Sequence, residues 1–175
     1  MANYGVIRTD SVPTKIRSAK YYVSTTATQI ENGNIVQVDE LLDASANREV
    51  FKAIAPSAVT AVNVGVVATP EVIYDETTIA GGALNQFINA AGKPITVIFP
   101  EVGKFLSLSD ECITAINDDD DIPAVGNYLT VTATSTKWTE KAALGGTETL
   151  AGKIIDRELY KKDTYLNVVE ILVGY

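Results

Sequence analysis

The chain has 175 residues, a hydrophobic fraction of 46%, a charged fraction of 21% and a formal net charge of −8. These values are typical of one ordered domain, or two small lobes, with a real core, and they exclude an intrinsically disordered chain. A surface this acidic repels phosphate groups, so we expect no nucleic-acid partner and no membrane partner.

Residues that carry common enzyme chemistry are scarce. Histidine is absent and Cys112 is the one cysteine, which excludes Ser-His-Asp and Cys-His catalysis, an internal disulfide and a cysteine-type zinc site. No glycine-rich phosphate loop is present, because Gly92-Lys93 is followed by proline, which lacks an N–H donor. We therefore expect a protein that is not an enzyme and binds no cofactor. Without a signal-peptide pattern, synthesis in the cytoplasm is expected.

Residues 1–20 have no sustained strand or helix period and are predicted to form an extended N-terminal arm. The basic residues Lys15, Arg17 and Lys20 interrupt an otherwise acidic chain, so this arm could dock on an acidic surface of a partner. Tyr21 and Tyr22, next to them, could add amphipathic contact area, or one of them could be part of the core. A solvated chain end is the alternative that the composition leaves open.

Residues 21–91 predict a β-rich N-terminal lobe. Asn32-Gly33 is a hairpin-type turn signal, and Leu84, Phe87 and Ile88 have the spacing of one helix face, so a short helix over 83–91 is predicted to end the lobe. Apolar runs bounded by turn residues predict strands at 20–23, 34–38, 49–55 and 62–68.

Residues 92–175 predict a C-terminal lobe resembling a β-barrel. A single helical turn is expected at Ser109–Cys112, and the last two strands, joined by a four-residue polar link, predict a hairpin. The fold class that follows is mainly β, a sandwich or small barrel with one or two short helices. The predicted strands of this lobe are 95–99, 104–109, 128–133, 152–160 and 165–173.

One acidic run resembles a site for a hard cation. Asp118, Asp119, Asp120 and Asp121 offer clustered oxygen ligands, which calcium prefers. The spaced aspartates and the distal glutamate of a calcium loop are missing, so a solvated acidic loop is the simpler interpretation.

Four segments resemble the head decoration proteins of tailed bacteriophages, which are also called auxiliary or cement proteins. This resemblance covers about the first 90 residues and implies a protein that binds the outside of an assembled capsid and reinforces it. It implies the major capsid protein as partner, a homo-trimer, and a place on the exterior of the virion. The segments that carry it are Tyr4–Asp10, Ile30–Val36, Arg48–Ala53 and Val67–Asp75.

Under this interpretation the N-terminal segment supplies the contacts with the partner. Three alternatives stay open: another virion subunit from a tail tube or head–tail connector, a β-module that binds a cation or carbohydrate, and an enzyme. A tube subunit would assemble by itself, and a cation module would melt differently with a chelator. The expected partner-binding residues are Tyr4, Ile7, Arg8, Lys15, Arg17, Lys20 and Tyr21.

Overall fold

A computed structural model describes residues 3–10, 13–42, 49–71, 84–116, 122–161 and 164–175 of the protein. The fold is mainly β, as predicted. Its strands in chain order are β1 (Ile7–Thr9), β2 (Ile16–Val23), β3 (Thr26–Ala27), β4 (Ile35–Leu41), β5 (Val50–Ile54), β6 (Val64–Val67), β7 (Ile95–Ile98), β8 (Phe105–Ser109), β9 (Ile113–Thr114), β10 (Tyr128–Thr130), β11 (Trp138–Lys141), β12 (Ala151–Lys161) and β13 (Thr164–Val173).

The first sheet closes into a five-stranded barrel. Its strands follow the order β2-β5-β4-β6-β7, and β7 pairs again with β2, which completes the ring. The β2–β5 pair is parallel and the other pairs of the ring are antiparallel. β3 forms a short hairpin with β2 at the rim. Closure removes the exposed edges that an open sheet of this size would present.

The second sheet is a curled half-barrel of seven strands in the order β1-β8-β13-β12-β10-β11-β9. Its longest pair is the antiparallel hairpin β12–β13, which matches the predicted C-terminal hairpin. β8 lies along the other side of β13 over Leu166–Glu170, and β10 pairs with only the first three residues of β12. The hairpin therefore extends beyond the strand that flanks β12.

Two hydrophobic cores result, because several barrel strands bury both faces. In β4, Val36 points into the barrel while its neighbour Ile35 packs against the half-barrel, and Val97 and Ile98 of β7 divide in the same way. Successive side chains of a strand point to opposite faces, so a strand between two cores is apolar at almost every position. This explains the continuous run Val64-Gly-Val-Val67 of β6, in which all four residues are buried.

The N-terminal segment is extended, and its strands belong to the folded body. β1 forms an edge of the half-barrel through its pairing with β8, and β2 is part of the barrel ring. The lobe boundaries expected after residues 20 and 91 also differ from the sheet boundaries. The first falls inside β2, and the second precedes β7, which belongs to the barrel sheet.

The predicted helices are only single 3-10 turns, at Leu84–Gln86 and Asp110–Cys112. The helix expected over 83–91 was wrong beyond this turn, because Asn89 forms a β-bridge with Ile30. Its backbone N–H and C=O both bond to Ile30, at 3.0 and 3.1 Å, which a helix would not allow. The turn at Asn32-Gly33 is present, with Gly33 at a φ of 82°, but it does not join paired strands, because β3 pairs with β2 and not with β4.

Candidate interaction surface

Two of the residues expected to bind a partner are part of the cores. Ile7 lies in the core between the sheets and Tyr21 lies inside the barrel, and each is 8% exposed. Burial raises the pKa of the Tyr21 hydroxyl above its ordinary value. The expectation that these two side chains contact a partner is therefore corrected: apolar residues in short strands were assigned to the surface when they complete the core.

The basic residues of the same segment lie over aromatic rings of the chain itself. Lys15 Nζ is 4.3 Å from the ring centroid of Phe99 and 4.1 Å from that of Tyr175, and Arg17 Cζ lies 5.3 Å from the Phe51 ring. Such cation–π contacts hold the ammonium group of Lys15 and the guanidinium group of Arg17 against aromatic rings at the rim of the apolar barrel. Lys15, just before β2, and Arg17, on β2, therefore each make contacts within the chain itself.

The remaining members of the expected set are also separated. Arg8 is exposed on β1, with its guanidinium carbon 5.6 Å from the Tyr160 ring, whereas Lys20 is half-buried on β2 of the barrel. Tyr4 is half-buried, and its backbone N–H donates to the Asn85 carbonyl at 2.8 Å. Arg8 and Lys20 thus lie on two different sheets, and Tyr4 lies outside the strands.

A different surface has the composition of an interface. Six large apolar or aromatic side chains, each between 41% and 60% exposed, lie on and beside the β12–β13 hairpin. Exposed apolar residues that group together mark interaction sites more often than isolated ones do. We call this group the hairpin face; its members are Ile116, Ile122, Val125, Ile155, Leu159 and Tyr165.

Backbone hydrogen bonds bring the loop members of the hairpin face to the hairpin. The Gly126 N–H donates to the Ile154 carbonyl at 2.8 Å, and the Ile154 N–H donates to the Asn127 carbonyl at 2.9 Å. Val125 is consequently next to the start of the exposed part of β12. The arrangement depends on a turn at Gly126, whose φ of 98° disfavours a side chain.

Arg157 is the central polar residue of this surface. Its Nη2 donates to Asp110 Oδ2 at 2.6 Å, its Nη1 donates to the Pro123 carbonyl at 3.4 Å, and its guanidinium carbon lies 4.6 Å from the Tyr165 ring centroid. One side chain therefore connects the 3-10 turn at Asp110–Cys112, the loop and the hairpin. Arginine and tyrosine are the residue types that contribute most to protein interfaces.

Asp110 sits at the polar base of this arrangement. Asn167 Nδ2 donates to its Oδ1 at 2.7 Å while Arg157 occupies Oδ2. Burial raises the pKa of the Asp110 carboxyl, and the hydrogen bond from Asn167 and the charge of Arg157 act in the opposite direction. The Asp110 carboxylate is thus partly buried, and both Asn167 and Arg157 favour its charged form.

Glu140 fixes both ends of the loop that carries Ile116 and Ile122. Its buried carboxylate accepts the backbone N–H of Ile116 at 2.9 Å and that of Ala124 at 2.8 Å, and it accepts Asn127 Nδ2 at 2.7 Å. Three bonds to one carboxylate make a rigid loop base. Both ends of the loop are therefore held by one buried side chain.

The described residues around the hairpin face form no group of possible metal ligands. A recess of about 360 Å3 beside it is lined by Asp110, Glu111, Ile113, Thr114 and Lys137. Across the described residues, no three Asp, Glu or Cys side chains come together as metal ligands would. Asp118, Asp119, Asp120 and Asp121, the expected cation ligands, lie outside the described residues.

Within the described ranges, no helix has the length and apolar character needed to cross a membrane.

Reasoning from sequence missed the hairpin face, because apolar residues in a strand are ordinarily assigned to a core. The one available signal was the charge pattern Asp-Arg-Glu over 156–158, which is unusual for a strand buried on both sides.

Comparisons of the chain with protein-family models, with curated proteins and with solved structures find no match.

Proposed function

We propose that this chain is a structural virion protein that binds the outer surface of a tailed-phage capsid and stabilises the expanded head. The observation that supports it best is the hairpin face, an exposed apolar and aromatic group on a rigid β-body. The resemblance of the four sequence segments to head decoration proteins supports the same function. The major capsid protein is the proposed partner, and the exterior of the virion is the proposed location after synthesis in the host cytoplasm.

The mechanism is physical and needs no catalytic residue. Expansion of a capsid exposes surfaces that the unexpanded shell does not have, and a protein that binds only the expanded form stabilises it by mass action. Many copies, each in contact with neighbouring capsid subunits, add their weak affinities through multivalency. A homo-trimer would suit three-fold positions of such a lattice and is part of the proposal.

Co-sedimentation with phage heads tests this function. The purified chain is mixed with expanded, undecorated heads of the phage that encodes it, and separately with unexpanded heads. We expect the chain to pellet with expanded heads alone. Equal recovery with both forms, or with neither, would contradict the proposal.

A matched pair of variants links that binding to the hairpin face. The first combines Ile122→Ser, Val125→Ser and Leu159→Ser, and we expect it to bind expanded heads about tenfold more weakly or worse, equivalent to about 1.4 kcal/mol or more. The control combines Val23→Ser, Val62→Ser and Val102→Ser, which are exposed to a similar degree elsewhere. Both variants should melt like the wild type, and equal binding by the two would remove the hairpin face from the proposal.

A tail-tube or connector subunit is the second candidate, favoured by the length of the β12–β13 hairpin beyond β10. A long hairpin can reach an adjacent subunit of a ring. This candidate expects the chain to form rings or polymers when it is expressed alone. Analytical ultracentrifugation distinguishes the two, because a decoration protein stays a monomer or trimer until heads are added.

A further inference from the structure

Among the described residues, no strand covers the outer edge of β12 along about half of its length. β10 pairs with Ala151–Lys153, and the loop at Gly126 and Asn127 bonds to Ile154. β12 continues to Lys161, and among the residues that the structure describes no strand lies along that side of residues 155–160. This stretch of about six residues is about 20 Å long, which is the length of an ordinary strand partner.

The backbone groups of this edge point away from β13. The N–H of Arg157 donates to its neighbour's carboxylate, Asp156 Oδ1, at 2.8 Å, which places it on the outer side of the strand. The β12–β13 pairing has no register shift from Arg157 to Leu159. In an antiparallel pair, the N–H and C=O groups of successive residues point alternately toward and away from the partner strand. The N–H and C=O of Leu159 therefore face outward as well. Asp156 covers one donor of the free edge, as charged residues do on natural edge strands.

Side chains along the same edge define the chemistry of what would fit. Ile155 and Leu159 are exposed apolar side chains, and the carboxylates of Asp156 and Glu158 alternate with them at exposed positions. Arg157, the cation between them, is already paired with Asp110. Within the part of the chain that the structure describes, the edge thus offers outward backbone groups without a partner strand, apolar contacts and negative charge.

We propose that the edge of β12 at residues 155–160 accepts an extended, basic and apolar segment of the capsid protein as an added strand. This inference rests on the proposed function and specifies how the capsid is bound. Apolar side chains of the incoming segment contact Ile155 and Leu159, and its Lys or Arg residues face Asp156 and Glu158. A second copy of this chain fits less well, because it carries a net charge of −8 and the same carboxylates on its own edge.

A proline substitution tests the backbone contribution. Leu159→Pro removes the outward N–H and obstructs an added strand, whereas Leu159→Ala removes only the side chain beyond Cβ. Proline is tolerated on free strand edges, so both variants should fold and melt near the wild-type temperature. We expect Leu159→Pro to bind expanded heads at least about tenfold more weakly than Leu159→Ala, equivalent to about 1.4 kcal/mol. Equal binding by the two variants would overturn the inference.

Charge reversal tests the chemistry of the incoming segment. Glu158→Lys should weaken head binding by about tenfold, and this loss should shrink as the salt concentration rises. Asp39→Lys makes the same change at an exposed position of β4 and should leave binding unaltered. Equal effects of the two substitutions would show that net charge, and not this edge, determines affinity, and would contradict the inference.

Hydrogen exchange gives a readout that does not depend on variants. The Leu159 amide should exchange rapidly in the free chain and slowly on expanded heads. Wild-type binding without this protection would refute strand addition and leave the proposed function intact, whereas failure of the wild type to bind would refute both. Protection of Leu159 through self-association in the absence of heads would identify a second copy as the occupant and overturn the choice of partner.

Discussion

The indole of Trp138 donates from Nε1 to the carbonyl of Gly33 at 3.0 Å, and both residues are buried. Trp138 is on β11 of the half-barrel, and Gly33 is in the turn that leads into β4 of the barrel. A second bond, from the Ile35 N–H to the Thr136 carbonyl, lies next to it. The sole tryptophan of the chain therefore connects the two sheets through a hydrogen bond as well as through apolar packing.

Trp138→Phe should lower the free energy of unfolding by about 2–4 kcal/mol. The change leaves the Gly33 carbonyl without its donor and leaves a cavity where the larger indole was packed. Urea unfolding followed by far-UV circular dichroism measures it, since the fluorescent residue is lost. Phe105→Leu, at a partly exposed position, is the control, and a loss for Trp138→Phe no larger than that of the control would contradict the assigned role.

The thiol of Cys112 should be inert in the native protein. Burial raises its pKa to about 12, from an ordinary value of 9.0, and its Sγ lies 3.4 Å from the Asn32 carbonyl, which favours the protonated form. We expect negligible reaction with a disulfide reagent at pH 8 until the chain is unfolded. Rapid labelling of the folded protein would show that the thiol is accessible.

The same shift makes stability fall at alkaline pH. An unfolded chain ionises this thiol above pH 9.0 while the folded chain keeps it protonated to about 12, so stability decreases as pH rises through that window. Cys112→Ala should show a shallower decline than the wild type over the same range. Parallel declines would assign the effect to other groups, such as the buried hydroxyl of Tyr21.

Glu140→Gln should destabilise the protein by about 2 kcal/mol and loosen the loop base. The amide that replaces the carboxylate presents an NH2 group to at least one of the three donors that Glu140 accepts. Thermal unfolding measures the first effect, and faster amide exchange at Ile116 and Ala124 measures the second. Glu40→Gln, at an exposed position of β4, should change neither; unchanged exchange in Glu140→Gln would argue against the loop role.

Arg157→Met should cost about 1–3 kcal/mol at neutral pH, because it leaves the half-buried Asp110 carboxylate without its cation. The pKa of Asp110, already raised by burial, should rise further. Because the pKa of Asp110 is raised in the folded variant, the free energy of unfolding of the variant falls as pH rises through that pKa. The stability difference between the variant and the wild type should therefore shrink in acid. Adding Asp110→Asn should recover part of the loss. A difference that is constant from pH 3 to pH 7 would exclude this coupling.

Much of the fold follows from local patterns in the sequence. Strands such as β7 and β13 are visible as β-branched runs between turn residues, and the final hairpin is visible from its short polar link. β11 and β9 were not predicted, because their pairing with each other depends on residues more than twenty positions apart. The strand was predicted only over 20–23, although β2 begins at Ile16, because Arg17 and Ser18 interrupt the apolar pattern before residue 20; Arg17 lies over a ring at the barrel rim.

The candidate surface was harder to predict than the fold. Leu159 and Ile155 look like core residues in the sequence, but β10 reaches only from Ala151 to Lys153 of β12, with Tyr128 opposite Lys153, and leaves them uncovered. Ile7 and Tyr21 were expected to contact a partner at the surface, but both are buried. Whether an apolar side chain is covered depends on where a neighbouring strand stops, which is a property of the assembled sheets and not of the strand itself.

The strands β4, β6 and β7 each contribute side chains to both cores, and this has a consequence for how the molecule can come apart. Loss of the half-barrel would leave Ile35, Val66 and Ile98 in water, and loss of the barrel would uncover the opposite wall of the same core. Neither half is then a separate folding unit. The protein should unfold in a single cooperative transition, and a gene fragment that encodes residues 105–175 alone should yield an aggregating product.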